Sequence, residues 1–73
     1  MTLGERMLHY RARNRISQSK LAELMDEDLM TIYRIENGIH KPHKINEIRL
    51  TEKMDKLEAE ERGKDTNDWY DKK

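Results

Sequence analysis

The sequence predicts a small all-α domain, a bundle of four to five helices, and three observations lead to this prediction. The chain has 73 residues, enough for one domain and too few for two. Apolar residues recur three and four positions apart along most of it, which is the spacing of one helix face. No β-strand-like alternation stands out, and the absence of cysteine excludes a disulfide framework.

The first helix is expected to run from Thr2 to about Asn14. Thr2 with Glu5 three positions later fits a capping box, in which each residue's side chain bonds the other's backbone amide. Ile16 is expected to return the chain to the core after this helix. The predicted core positions of the helix are Leu3, Met7 and Tyr10, with Leu8 as a secondary one.

Two short helices are expected next, at about Gln18 to Met25 and Leu29 to Asn37. Ser17 and Asp28 are residue types that cap helix N-termini through a side-chain oxygen. Gly38 tolerates the left-handed conformation that ends many helices. A helix, a tight turn and a second helix make a helix-turn-helix unit. Its apolar positions are Leu21, Ala22, Leu24, Met25, Ile32 and Ile35.

A fourth helix is expected from Lys44 or Ile45 to Glu60, and Gly63 is expected to end it. Its apolar residues are Ile45, Ile48, Leu50, Met54 and Leu57.

The remaining residues form a predicted polar tail, so the expected division is a helix-turn-helix domain at 1–61 and a mobile tail at 62–73. A short helix within the tail is the alternative that would bring the total to five. Trp69 and Tyr70 interrupt its polar character, and an aromatic pair of this kind can fold back onto the domain, insert into a partner or stay disordered.

The charge is balanced but unevenly distributed. Net charge is zero, whereas most DNA-binding domains carry a basic surplus because phosphate contacts dominate their affinity. Residues 1–16 hold four basic and one acidic side chain, residues 17–41 three and five, and residues 42–73 eight and nine. The helix-turn-helix segment is therefore acidic, while the first helix is basic.

Several function classes lack their characteristic sequence features. No histidine stands in a nucleophile pattern or with metal-ligand spacing, and no glycine-rich phosphate loop is present, so neither an enzyme nor a cofactor or metal site is expected. No small-molecule ligand is indicated. No apolar run reaches the roughly 20 residues of a membrane span, so we expect no membrane partner and a cytoplasmic protein.

A set of short motifs spread over roughly residues 3 to 57 adds to these patterns. They are Ser17-Gln18, Leu21-Ala22-Glu23, Thr31-Ile32, Arg34-Ile35-Glu36-Asn37-Gly38, Gly4-Glu5-Arg6-Met7, Arg11 and Lys41-Pro42. With these residues the chain resembles the helix-turn-helix of Cro/CI-type phage repressors, also called XRE-like regulators. The resemblance implies a lambda-repressor-like DNA-binding fold and a regulator that binds operator DNA in a phage lysogeny-type genetic switch, in the cytoplasm of a bacterial host cell.

The resemblance also implies roles for individual residues. It assigns phosphate or base-edge contacts to Gln18 and an orienting ion pair to Arg11 and Glu36. Base contacts fall to Leu29, Met30, Tyr33 and Arg34, and the Arg34 guanidinium suits guanine O6 and N7. Further phosphate contacts are expected from Thr31, Asn37, Arg13, Arg15, Lys41 and Lys44.

Departures from the family pattern suggest a second function. Asp26 stands where glycine is usual, Glu27 where an aliphatic residue is buried, and Leu29 and Met30 where polar base-contacting residues are expected. An apolar patch beside acidic residues is typical of a protein-binding surface. The alternative is therefore an antirepressor that binds the DNA-binding domain of a CI-type repressor, resembling the modulator-of-repression proteins of lactococcal temperate phages. A helix-turn-helix antitoxin is a third alternative. The expected partner face is Glu27, Asp28, Leu29, Met30 and Tyr33.

Overall fold

The fold comes from a computed structural model that describes residues 1–39 and 42–71, with side chains at 1–39 and 42–63. It contains four helices and, within those ranges, no strand, which confirms the all-α prediction. Within the same ranges, no helix combines the length and apolar character needed to cross a membrane. The helices are α1 (Leu3–Asn14), α2 (Gln18–Met25), α3 (Leu29–Glu36) and α4 (Lys44–Asp71).

The N-terminus of α1 carries the predicted capping box. The Thr2 backbone amide donates to Glu5 Oε1 at 2.8 Å, and the Glu5 amide donates to Thr2 Oγ1 at 3.1 Å. Ser17 caps α2 as predicted, because its Oγ accepts from the Lys20 amide at 3.0 Å. These bonds satisfy amides that a helix leaves unpaired in its first turn.

Asp28 behaves differently from the prediction. It occupies the N-cap position of α3 with an extended backbone, but its carboxylate makes no capping hydrogen bond. The residue is exposed, so water can solvate both the carboxylate and the first amides of the helix.

Helices α1, α2 and α3 end with the same backbone motif. Arg15, Asp26 and Gly38 are left-handed, with φ of 55°, 55° and 65°. In each case the following amide bonds the carbonyl five residues earlier, which is the Schellman arrangement. Asp26 can adopt this conformation because a short polar side chain tolerates the left-handed region. The three bonds are Ile16 to Arg11 (3.1 Å), Glu27 to Ala22 (2.8 Å) and Ile39 to Arg34 (3.0 Å).

All four helices contribute to one hydrophobic core. Its buried members are Met7, Tyr10, Leu21, Ala22, Met25, Ile32, Leu50 and Met54, and the half-buried Leu3, Ile16, Ile35 and Leu57 pack against them. Three of the eight buried residues are methionines, whose flexible thioether chains fill irregular spaces. Four apolar helix residues, including the predicted secondary core position Leu8, are at least 42% exposed, because they lie on helix faces turned away from the cluster: Leu8, Leu24, Ile45 and Ile48.

The start of α1 packs closely on the end of α3. A Cβ atom at the buried Gly4 would lie 2.5 Å from the backbone oxygen of Ile35. The absent side chain therefore permits this close approach of two helix backbones.

Helix α4 is longer than predicted. It continues through Gly63 to Asp71, so the expected end at Glu60 is wrong. A glycine costs a helix only about 1 kcal/mol, and the strong helix formers of the preceding turns outweigh that cost. At 1.5 Å per residue its 28 residues span about 42 Å, most of the 46 Å length of the molecule. The predicted mobility of the tail stays a prediction.

Candidate functional site

The outer surface of α3 presents five exposed side chains. At about 100° per residue they occupy an arc of about 140°, while Ile32 and Ile35 point to the opposite side, toward the core. We call this surface the α3 face; it consists of Leu29, Met30, Tyr33, Arg34 and Asn37.

The α3 face combines an apolar cluster with one cation. Leu29, Met30 and Tyr33 are 45%, 50% and 42% exposed, which is unusual for three large apolar residues on one short helix. Arg34 is exposed and makes no ion pair with any described residue. The surface can therefore offer both a hydrophobic contact and a charged donor.

Two predicted phosphate-binding residues on α3 are placed less directly. Asn37 is exposed, but its Nδ2 donates to the Tyr33 carbonyl at 2.8 Å and so helps to end the helix. Thr31 lies outside the α3 face and is half-buried beside Arg34. Neither side chain is fully available for an external ligand in this arrangement.

The predicted pair of Arg11 and Glu36 is present and extends to a third residue. Arg11 Nε and Nη2 each donate to a different carboxylate oxygen of Glu36 at 2.8 Å. Gln18 Nε2 donates to the same carboxylate at 2.9 Å. The Glu36 side chain is only 4% exposed, and its hydrogen bonds raise the pKa of Arg11. One buried carboxylate thus joins α1, α2 and α3.

This network changes the role assigned to Gln18. It was predicted to contact DNA, yet one of its amide protons is committed to Glu36. Its remaining proton and its carbonyl oxygen stay available for an external contact. Gln18 therefore fixes α2 relative to α3, whichever ligand binds.

Glu27 is neutralised within the molecule. Arg49 and Lys53 of α4 both bond its carboxylate, Lys53 at 2.6 Å, and Lys53 also donates to the Met25 carbonyl at 2.7 Å. Burial raises the pKa of Glu27, but the hydrogen bonds from Lys53 and Arg49 outweigh it and leave the pKa lowered. Only 9% of the side chain is exposed, so Glu27 offers little surface to the partner face that was predicted to include it.

The basic surplus of α1 is also paired internally. Arg6 bonds Asp55 and Glu58 of α4, each at 2.6 Å, and Arg13 bonds Glu61 at 3.0 Å. The phosphate-binding role expected of Arg13 is therefore opposed by an existing ion pair. The basic residues for which the described part of the chain offers no ion pair are Arg15, Arg34, Lys44 and Lys56.

Some residues named from the sequence lie outside the part of the chain whose side chains the structure describes. Lys41, expected to contact phosphate, falls between the described ranges, and Trp69 and Tyr70 lie where only the helical backbone is described. Arg49 and Lys53 were not predicted as partners of Glu27. Their spacing of four on one helix was the available signal, because a carboxylate at a normally buried position needs a cation.

Comparison of the chain with protein-family models, curated proteins and solved structures found no match.

Proposed function

We propose that α2, the turn and α3 form a helix-turn-helix, and that the chain is a small transcriptional regulator that binds operator DNA through the α3 face. The observation that carries this proposal is Arg34, an exposed cation on that face with no described ion-pair partner. A guanidinium in this position can bond O6 and N7 of guanine in the major groove. Base contacts of this kind come from the second helix of such a unit.

Two features of the surrounding structure support the proposal. The carboxylate of Glu36, held by Arg11 and Gln18, fixes the three helices that a groove-binding unit must keep rigid. The pairing of Glu27 with Arg49 and Lys53 removes one of the three acidic charges beside α3. Repulsion of phosphate by the turn is therefore weaker than the sequence suggests.

The test is a fluorescence anisotropy titration with DNA from the promoter region of the chain's own gene, against a scrambled duplex. Arg34→Ala should reduce the preference for the promoter sequence by about tenfold or more, as expected for loss of one base-specific contact. Lys56→Ala, which removes an exposed charge on α4, is the matched control and should leave that preference unchanged. Equal binding of the promoter duplex and the scrambled duplex at micromolar protein concentration would exclude specific DNA binding.

A second candidate function is favoured by the apolar cluster of the α3 face. Leu29, Met30 and Tyr33 can make only apolar contacts with bases, apart from the Tyr33 hydroxyl, whereas they suit a protein partner. Asp26 and Asp28 are exposed beside them and complement a basic surface. These features support an antirepressor that covers the DNA-binding face of a CI-type repressor.

Size-exclusion chromatography with the repressor encoded nearby tests this candidate. Met30→Asp should abolish co-elution, because it places a charge in the apolar contact. Ile48→Asp is the matched control, since Ile48 is also 50% exposed but lies on α4, whose Cα atoms do not approach those of α3 within 8 Å. Co-elution that survives Met30→Asp would count against the antirepressor function.

A further inference from the structure

A pocket of about 160 Å³ lies between α3 and α4, beside the α3 face. No Cα atom of α3 comes within 8 Å of a Cα atom of α4, and this separation leaves room for the pocket between the two helices. Ile35 and Leu50 contribute apolar surface to it. Its polar lining is Glu27, Thr31, Arg34, His43, Asn46 and Arg49.

The pocket has a positive charge balance. Among the charged lining residues, Arg49 bonds and balances Glu27, and Arg34 leaves one excess positive charge. No described acidic side chain pairs with Arg34, and Lys53, which is not part of the lining, also bonds Glu27. Thr31 and Asn46 contribute a hydroxyl and an amide, both of which can donate hydrogen bonds to an anion.

We propose that this pocket binds a phosphate-type oxyanion. The volume would hold about five waters at ~30 Å³ each, and a phosphate group has the same number of heavy atoms. Guanidinium groups bond phosphate oxygens in pairs, and the amide and hydroxyl complete a polar lining. The site does not depend on operator binding, because its charge and shape come from α4 as well as α3.

A bound oxyanion has a consequence for the α3 face. Arg34 belongs both to that face and to the pocket lining. An anion in the pocket therefore pairs with the cation that the proposed base contact requires. Free phosphate compounds and operator DNA compete for one side chain.

The test is a titration of the ¹⁵N-labelled protein with sodium phosphate, followed by amide and side-chain shifts in NMR spectra at constant ionic strength. Saturable shifts should centre on Thr31, Arg34 and the Asn46 side-chain amide. Arg34→Gln should weaken the apparent affinity about tenfold or more, because it removes a charge-assisted hydrogen bond. Lys56→Gln removes the same charge from the exposed surface of α4 and should change the affinity less than about twofold.

Two results would overturn the proposal. Shifts that spread over exposed amides without saturation would indicate general screening, and equal losses in Arg34→Gln and Lys56→Gln would indicate non-specific attraction. Thermal melts establish that both variants fold, as expected for exposed side chains without described ion-pair partners. Added promoter duplex should reverse the phosphate-induced shifts, because the base contact proposed for Arg34 competes with the anion, and persistence of those shifts would overturn that competition.

Discussion

Arg11 and Glu36, 25 positions apart in sequence, are joined by two parallel hydrogen bonds of 2.8 Å. The geometry is the fork-to-fork arrangement in which both carboxylate oxygens are used. Because the Glu36 side chain is only 4% exposed, little water could solvate its carboxylate if the Arg11 guanidinium were removed. We therefore expect the fold to depend on this pair more than on an exposed ion pair.

Arg11→Ala should lower the free energy of unfolding by about 3 kcal/mol, because it leaves a buried carboxylate without its cation. Urea denaturation followed by circular dichroism measures the change. Arg13→Ala is the control, since Arg13 and Glu61 are more exposed, and it should cost less than about 1 kcal/mol. Equal losses in both variants would mean that burial does not distinguish the two pairs.

Two glycines should respond in opposite ways to alanine. Gly4→Ala should destabilise the fold by about 1 to 3 kcal/mol, because its Cβ would meet the Ile35 backbone oxygen. Gly63→Ala meets no atom within 4 Å and should stabilise α4 by up to about 1 kcal/mol. Thermal melts of the two variants provide the comparison. A stabilising Gly4→Ala would show that α1 and α3 do not approach as closely as described.

Acid should weaken the attachment of α4. The pKa of Glu27 is lowered by Lys53 and Arg49 despite its burial, and that of Glu61 is lowered chiefly by Arg13. A lowered pKa gives stability that is present above the ordinary value near 4.5 and is lost as pH falls through the lower folded value.

The free energy of unfolding, measured from pH 7 down to pH 3, should therefore decrease, and the decrease should become steeper below pH 4.5. Glu27→Gln should be less stable than the original chain at pH 7, and the difference should shrink in acid. A constant difference across this range would exclude Glu27 as a contributor.

Charge in the turn should separate the two candidate functions. Asp28→Asn removes an exposed acidic charge without breaking a capping bond, so stability should change by less than about 0.5 kcal/mol. Affinity for DNA should rise, because one source of phosphate repulsion is lost. Affinity for a basic protein partner should fall, because the attraction between Asp28 and the basic surface is lost. Anisotropy titrations of Asp28→Asn and the original chain, with DNA and with the protein partner in the same buffer, measure both changes in affinity.

The local signals in the sequence were sufficient for much of this fold. The caps at Thr2 and Ser17 were predictable because a helix cap depends on neighbouring residues. The length of α4 was not, because one glycine's weak preference was outweighed by many surrounding residues. The exposure of Ile45 and Ile48 could not be predicted, because spacing identifies a helix face but not what covers it.

In the candidate site, too, the features that depend on local sequence were predicted and those that depend on long-range packing were not. Arg34 and the apolar cluster were identified from their positions on one short helix. The partners of Glu27 and the pocket between α3 and α4 depend on residues about 20 positions apart, whose approach is set by packing rather than by local pattern. The ion pair of Arg13 with Glu61 was not predicted for this reason, since nothing near Arg13 in the sequence reveals Glu61.

The methionines of this chain should differ sharply in their sensitivity to oxidants. Met7, Met25 and Met54 are at most 2% exposed, whereas Met30 is 50% exposed on the α3 face. Conversion to the sulfoxide needs access to sulfur and makes the side chain polar. Mild peroxide should therefore alter the contact surface while the core thioethers stay reduced. Peptide mass mapping would resolve that order, and sulfoxide reductase would restore the surface.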